Sequence, residues 1–248
     1  MLQPKFLIGL FVCACCLASC GDSDSRYIPD VSKVSGEVSV ERFERDFFAM
    51  DSTNMTASMQ LLEKKHPHFA PLFINDILGG RMLSDSMFND TVVANTRAFL
   101  SYPYSRWLYD TTQLVYPDNN KLQAEMQDLL RYYNYYFPKD STPIKKLYTF
   151  ISVYKYGIIV MDDYVAVGLD FFLGEGHQDY TGVENLRHAY VRRTLTPEHL
   201  STQIAAAIAD DIVETASPRL GNKLIDHMLN NGKKLYLTQC FTPKAADS

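Results

Sequence analysis

Apolar residues fall first in an unbroken run, then at helical spacing, then in alternation, and at the end at helical spacing again. Residues 34–42, VSGEVSVER, alternate, which predicts a strand with Val38 and Val40 on its apolar face. Asp51-Ser52-Thr53-Asn54 offers capping side chains for a helix to about Lys65, ended by His66-Pro67. Phe69, Leu72, Phe73, Ile77 and Leu78 then recur at helical spacing until Gly79-Gly80. Residues 85–100 and 104–115 are two more predicted helices. The clearest is 118–137, where Leu122, Met126, Leu129, Leu130, Tyr133, Tyr136 and Phe137 form one stripe and Pro138 stops it.

The period then shortens. Residues 144–154, IKKLYTFISVY, are aromatic and β-branched and predict a strand. Residues 157–162 and 164–169 flank Asp162-Asp163 and predict a hairpin. Residues 174–181, GEGHQDYT, read as a polar loop. Thr196-Pro197-Glu198 predicts a helix start, with Thr as cap and Pro in the first position. That helix runs to about Thr215, and its apolar centre over 204–209 predicts burial. A last helix is predicted over 220–237, with basic residues near its end. Helices around a small antiparallel or mixed sheet predict an α+β fold, mostly helical, rather than alternating βαβ units.

The opening run changes the picture of the compartment. Lys5 precedes an apolar stretch, 6–17, which has the length of a signal h-region and is too short to span a bilayer. It ends in Leu17-Ala18-Ser19-Cys20, the pattern of a bacterial lipobox, in which Cys20 is lipidated and becomes the new N-terminus. The alternative is an ordinary signal peptide with a chance cysteine. The predicted organisation is a lipoprotein signal peptide over 1–19, a polar tether over 20–33 and one globular α+β domain over 34–248. Cys13, Cys15 and Cys16 fall in the discarded segment, where cysteine acts as a small hydrophobe. Cys240 is then the only thiol besides Cys20, so neither an intrachain disulfide nor a cysteine zinc cluster is expected. Membrane contact is expected through the lipid alone, at the cell or outer membrane, facing the periplasm or the surface.

Composition fits a folded body: 46% hydrophobic and 12% aromatic, with 16 Tyr against one Trp. The net charge of −5, without a basic stripe, argues against nucleic acid as a partner. Asp-Ser/Thr followed by a small or apolar residue recurs, with acceptors Ser52, Ser86, Thr91, Thr111 and Ser141. This pattern resembles an O-glycosylation signal of exported Bacteroidetes proteins. Equally, Asp, Ser and Thr gather at caps and turns.

Candidate chemistry is sparse. There is no H-E-x-x-H, G-x-S-x-G, Walker loop or G-x-G-x-x-G, which points away from an enzyme. No cofactor or metal site is expected. His66-Pro67-His68 is expected to be solvent-exposed rather than to bind metal. Asp170, Glu175, His177 and Asp179 form an acidic loop, a candidate acid/base or metal site whose plain alternative is a solvated polar loop. Asp210 and Glu214 share a helix face, beside Asp211, and call for a cation between them. Arg192, Arg193 or Arg219 is expected to supply it. Cys240 is expected to be buried and inert.

Six colinear stretches carry a resemblance. They are IPDVS (28–32), VERFERDFF (40–48), FAPLFINDILG (69–79), YTFIS with YGI (148–152 and 156–158), VGLDFFLG (167–174) and GKKLYL (232–237). Together they resemble the gliding motility lipoprotein GldB family of Bacteroidetes. The resemblance implies a lipid-anchored accessory of the cell envelope that contacts other envelope proteins, as yet unknown, in a motility or secretion apparatus. It also implies that the chain is short at its C-terminus, because family members continue with further helical sequence. Some core packing is then expected to be missing. The family is distantly similar to zincin-like peptidases, whose catalytic helix would fall near 204–214. Here that stretch reads IAAAIADDIVE, without a histidine to ligate zinc, so the scaffold would be a degenerate one. An envelope hydrolase working through the Asp170–Asp179 loop is the alternative reading.

Overall fold

The computed structural model describes residues 27–79, 90–138, 144–216, 221 and 223–247. Residues from Val31 onward form one compact unit; Met1–Asp30 count as a separate unit. Cys20 and the acceptors Ser86 and Ser141 lie outside the described residues, as does Arg219.

Four strands build one sheet: β1 (Ser39–Arg42), β2 (Lys146–Phe150), β3 (Ile158–Val160) and β4 (Tyr164–Gly168). The order is β1-β2-β4-β3. β1 and β4 both run parallel to β2, and β3 closes one edge antiparallel to β4. The sheet is therefore mixed, and the predicted hairpin is present. β1 is shorter than the alternating stretch 34–42.

Helices cover both faces of the central strands, so β4 is buried at every residue and reads as a continuous apolar run. Side chains still alternate between faces. Leu147, Val165 and Val167 join one core with Leu129, Leu130, Ile204 and Ile208. Tyr148, Phe150, Tyr164 and Ala166 join the other with Phe43, Phe47, Phe69 and Phe73.

The helices are α1 (Phe43–Phe48), α2 (Met55–Lys65), α3 (Ala70–Leu72, continuing as a π-turn over Phe73–Ile77), α4 (Asp90–Ser101) and α5 (Pro103–Val115). α6 (Asn120–Tyr136), α7 (Ala189–Arg192), α8 (Leu200–Ala216) and α9 (Leu224–Phe241) follow. Asp51 Oδ1 accepts from Thr53 N at 2.8 Å and Asn54 caps α2 through Ala57 N, as the capping residues predicted. α8 begins one turn later than Thr196-Pro197 implied, because those residues form a separate turn closed by His199 N to Thr196 O. Its apolar centre is not buried all round: Ile204, Ala205, Ile208 and Ala209 are buried, while Ala206 and Ala207 are half-exposed. α9 lies beside α8 and α6.

β1 and α1 are locked in place by a buried charge cluster. The Arg42 and Glu44 side chains are 7% and 0% exposed and meet at 2.5 Å. Thr149 on β2 donates to Glu44 Oε2 at 2.6 Å. Arg42 also donates to Tyr116 O, Asn119 Oδ1 and Gln113 Oε1 at 3.0–3.2 Å. Arg45 reaches Gln113 Oε1 at 2.6 Å and Pro117 O at 2.9 Å. This cluster ties the first strand to the second strand and to the α5–α6 connection.

Candidate functional site

The acidic loop lies beyond the carboxyl ends of the parallel strands β2 and β4, where sites are often built in sheets of this kind. Asp170 sits in the 3-10 turn that ends β4 and is fully buried. Its Oδ2 accepts from Tyr154 N at 2.7 Å and Ser152 N at 3.2 Å, while its Oδ1 has no partner. Burial pushes its carboxyl up to about 6, against the pull of those N–H bonds. The loop it grips is strained: Val153 and Tyr154 have φ of 56° and 57°, the left-handed region that a β-branched residue rarely enters.

Three aromatic residues close over this loop. Tyr154 Oη lies 2.8 Å from His177 Nε2, and the His177 ring stacks on Trp107 at 5.6 Å between centroids. Tyr104 donates to Asp179 Oδ2 at 2.9 Å and stacks on Trp107. Because Tyr104 gives its proton to Asp179, Tyr154 has one proton to share between Tyr104 and the imidazole, and the His177 tautomer decides which receives it. Burial holds His177 below its ordinary value, opposed by the Asp179 charge 3.7 Å away. Burial, helped by the Asp179 bond, raises Tyr104 to about 12, and Tyr154 rises further still. Tyr180 completes the cluster by donating to Asp170 O and accepting from Leu173 N.

The loop is divided: Glu175, Gly176, Gln178 and Thr181 are exposed, while Tyr180 is buried and His177 and Asp179 are half-buried. Of the four predicted residues, Asp170, His177 and Asp179 join one network, while Glu175 stands exposed with Arg193 at 3.7 Å. The His177 side chain is only 9% exposed. Tyr104, Tyr154, Tyr180, His177 and Asp179 each bond to a neighbour within the chain. The arrangement clamps the loops after β2 and β4 to α5. Tyr104, Trp107 and Tyr154 escaped the sequence reading, since no periodicity links them to residues from 16 to 75 positions away.

Two further expectations are corrected. His66 is buried at 1% exposure, with Nε2 2.7 Å from Asp46 Oδ2, because α2 ends directly over Phe43 and Tyr148. His68 is exposed, as expected. The cation between Asp210 and Glu214 is Lys234 of α9, not an arginine; it contacts Asp210 closely and reaches Glu214 at 3.2 Å. Arg192 instead donates to Arg187 O.

Of the proposed acceptors, Ser52 and Thr91 are exposed and Thr111 is half-exposed, donating to Trp107 O. Cys240 is free and half-buried against the core. Among the described residues, no group of three His, Cys, Asp or Glu side chains is placed to hold a metal, and no helix is long and apolar enough to cross a membrane. No curated protein and no solved structure matches the chain. A family model described as gliding motility protein GldB matches residues 24–248, nearly the whole length, and the chain therefore belongs to the GldB family of gliding motility proteins.

Proposed function

We propose that this protein is a non-enzymatic lipoprotein of the cell envelope, anchored through Cys20, that supports a motility or secretion apparatus by protein–protein contacts. The family match over residues 24–248 carries the reading. The sequence Leu17-Ala18-Ser19-Cys20 supports the anchor, and the inward commitment of Asp170, His177 and Asp179 supports a structural rather than catalytic use of the acidic loop.

The rival reading is an envelope hydrolase, or a degenerate zinc-peptidase-like protein, acting through Asp170–Asp179. It draws on the raised carboxyl of Asp170, which resembles a poised general acid. Against it, that carboxyl has no surface, and the Ser152 hydroxyl, 3.5 Å from its Oδ2, is buried and bonded to Tyr156 O.

Three measurements test the proposal. Cys20→Ser is expected to move the protein from the membrane to the soluble fraction; continued sedimentation with membranes refutes the anchor. Capture from cross-linked envelope is expected to recover a defined partner set, and recovery of none counts against the contact role. Glu175→Ala with His177→Ala is expected to complement a deletion strain fully, whereas loss of function without loss of protein favours the hydrolase.

A further inference from the structure

α9 carries apolar residues on both its sides. Its inward side packs Leu237, Cys240 and Phe241 against the core beside Asp226, Asn230, Lys234 and Thr238, and Lys234 is engaged there by α8. The opposite side carries Leu224, Ile225, Met228, Leu229, Leu235 and Tyr236, exposed by 53–75%. Five of them, together with Gly232 and the polar Gln239, fall on 225, 228/229, 232, 235/236 and 239, the mean spacing of 3.5 that keeps a seam facing a partner helix, and Leu224 flanks it.

The centre of this seam is Gly232. A mid-helix glycine costs about 1 kcal/mol relative to alanine. Among the described residues nothing calls for it, because a Cβ placed there meets no atom within 4 Å. A missing side chain at the middle of an exposed apolar stripe suits the close crossing of another helix.

The order of residues around Gly232 is self-complementary. Reversing the helix about that point sets Met228 against Tyr236 and Leu229 against Leu235. Such a match is what a two-fold, isologous contact requires. If a large side chain presents roughly 200 Å² when fully exposed, the six apolar residues present about 750 Å² per copy. A standard interface takes about 800 Å² from each partner. A lipid surface would gain nothing from the glycine notch or the mirrored order.

We infer that the outward face of α9 pairs antiparallel with the same face of a second copy, around a two-fold axis through Gly232. The inference is independent of the envelope role proposed above. The test is disulfide formation in native membranes, using the full chain with Cys240→Ala as parent. Met228→Cys with Tyr236→Cys sets each thiol opposite the other position on the second copy and leaves the glycine notch open. Gln239→Cys lies seven residues from the axis, so its copy is about 21 Å away along the helices. On mild oxidation the Met228→Cys/Tyr236→Cys variant is expected to give a product of twice the chain mass at least tenfold above the parent, with Gln239→Cys at the parent's level. Adding Leu229→Glu and Leu235→Glu is expected to cut that product at least tenfold. No product from the paired cysteines, equal products from both variants, or a product of another mass overturns the pairing. If the paired variant is not recovered folded, sedimentation of the unaltered full chain in mild detergent decides: two copies per particle support the pairing, and one overturns it.

Discussion

Glu44→Gln removes one charge from the buried cluster at the start of the fold and changes almost no volume. In the native protein Glu44 is fully enclosed and balances Arg42 at 2.5 Å, with Arg45 close by on the same Gln113. Without it Arg42 is left buried and uncompensated. Two unit charges about 4 Å apart attract by about 4 kcal/mol at an effective dielectric of 20. Breaking a buried pair by removing one partner typically costs 3–5 kcal/mol. Both figures are a large fraction of the roughly 5–15 kcal/mol that holds a domain folded. With a urea slope of about 2 kcal/mol per molar, a loss of 4 kcal/mol moves the unfolding midpoint down by about 2 M.

A double-mutant cycle separates this from simple damage. Arg42→Met alone is expected to cost as much, because it orphans Glu44 and strips Tyr116 O of its Arg42 donor. The pair Arg42→Met with Glu44→Gln removes both charges and leaves mostly unfilled hydrogen bonds, so it is expected to cost about 3–4 kcal/mol rather than the sum of the singles. Urea unfolding of the three variants, followed by circular dichroism, measures all the terms. A Glu44→Gln loss below 1 kcal/mol, or singles that add to the double within about 0.5 kcal/mol, refutes the claim that this pair ties β1 to the rest of the fold.

The other expectations follow the same logic. Asp170 titrates near 6 when folded against an ordinary 3.8, so the folded state keeps a proton that the unfolded state has lost between those values. Stability should fall as pH rises from about 4 to 6 and level off above, and Asp170→Asn should flatten that slope; an unchanged slope in the urea midpoint assigns it to another group. Gly168→Ala should destabilise by more than about 2 kcal/mol in the same assay, because the new Cβ would lie 2.3 Å from Tyr156 O and 3.1 Å from Asp170 Oδ1; a neutral result refutes the tight approach of these loops. Lys234→Met should cost no more than about 1 kcal/mol, since Asp210 and Glu214 are largely exposed, and the difference from the unaltered chain should vanish in about 1 M salt.

Periodicity revealed most of the framework because the periods arise from burial. The stripe from Leu122 to Tyr133 faces the core, and the hairpin about Asp162-Asp163 sits where its flanking apolar runs put it. What periodicity missed is what burial does to charge. Arg42 and Glu44 carry no apolar signal of their own, and their burial becomes intelligible only once Thr149, Tyr116 and Asn119 arrive from elsewhere in the chain. α1 was hidden for the same reason, since its apolar Phe43, Phe47 and Phe48 are interleaved with those charges. His66 was hidden in a helix-breaking dipeptide that ordinarily marks a surface turn. In the acidic loop, residue types were legible but roles were not, because Trp107, Tyr104 and Tyr154 reach His177 and Asp179 only through tertiary packing.

The stretches that carry the family resemblance divide sharply by what surrounds them. VERFERDFF supplies the buried charge cluster and three core phenylalanines; FAPLFINDILG supplies Phe69, Ala70, Phe73, Ile74 and Ile77 to the same core. YTFIS is buried from Tyr148 to Ser152, and VGLDFFLG buries Val167, Leu169, Asp170 and Phe172. For these buried residues packing alone accounts for their presence, since replacing one opens a cavity or leaves a polar partner stranded. GKKLYL differs. Gly232, Lys233, Leu235 and Tyr236 are exposed, and only Lys234 and Leu237 turn inward. Folding of this one chain gains nothing from an exposed leucine, an exposed tyrosine and a helix-weakening glycine side by side. The same three residues become intelligible once a second surface covers them, and Met228 and Leu229, mirrored with Tyr236 and Leu235 about Gly232, make a second copy the surface that fits.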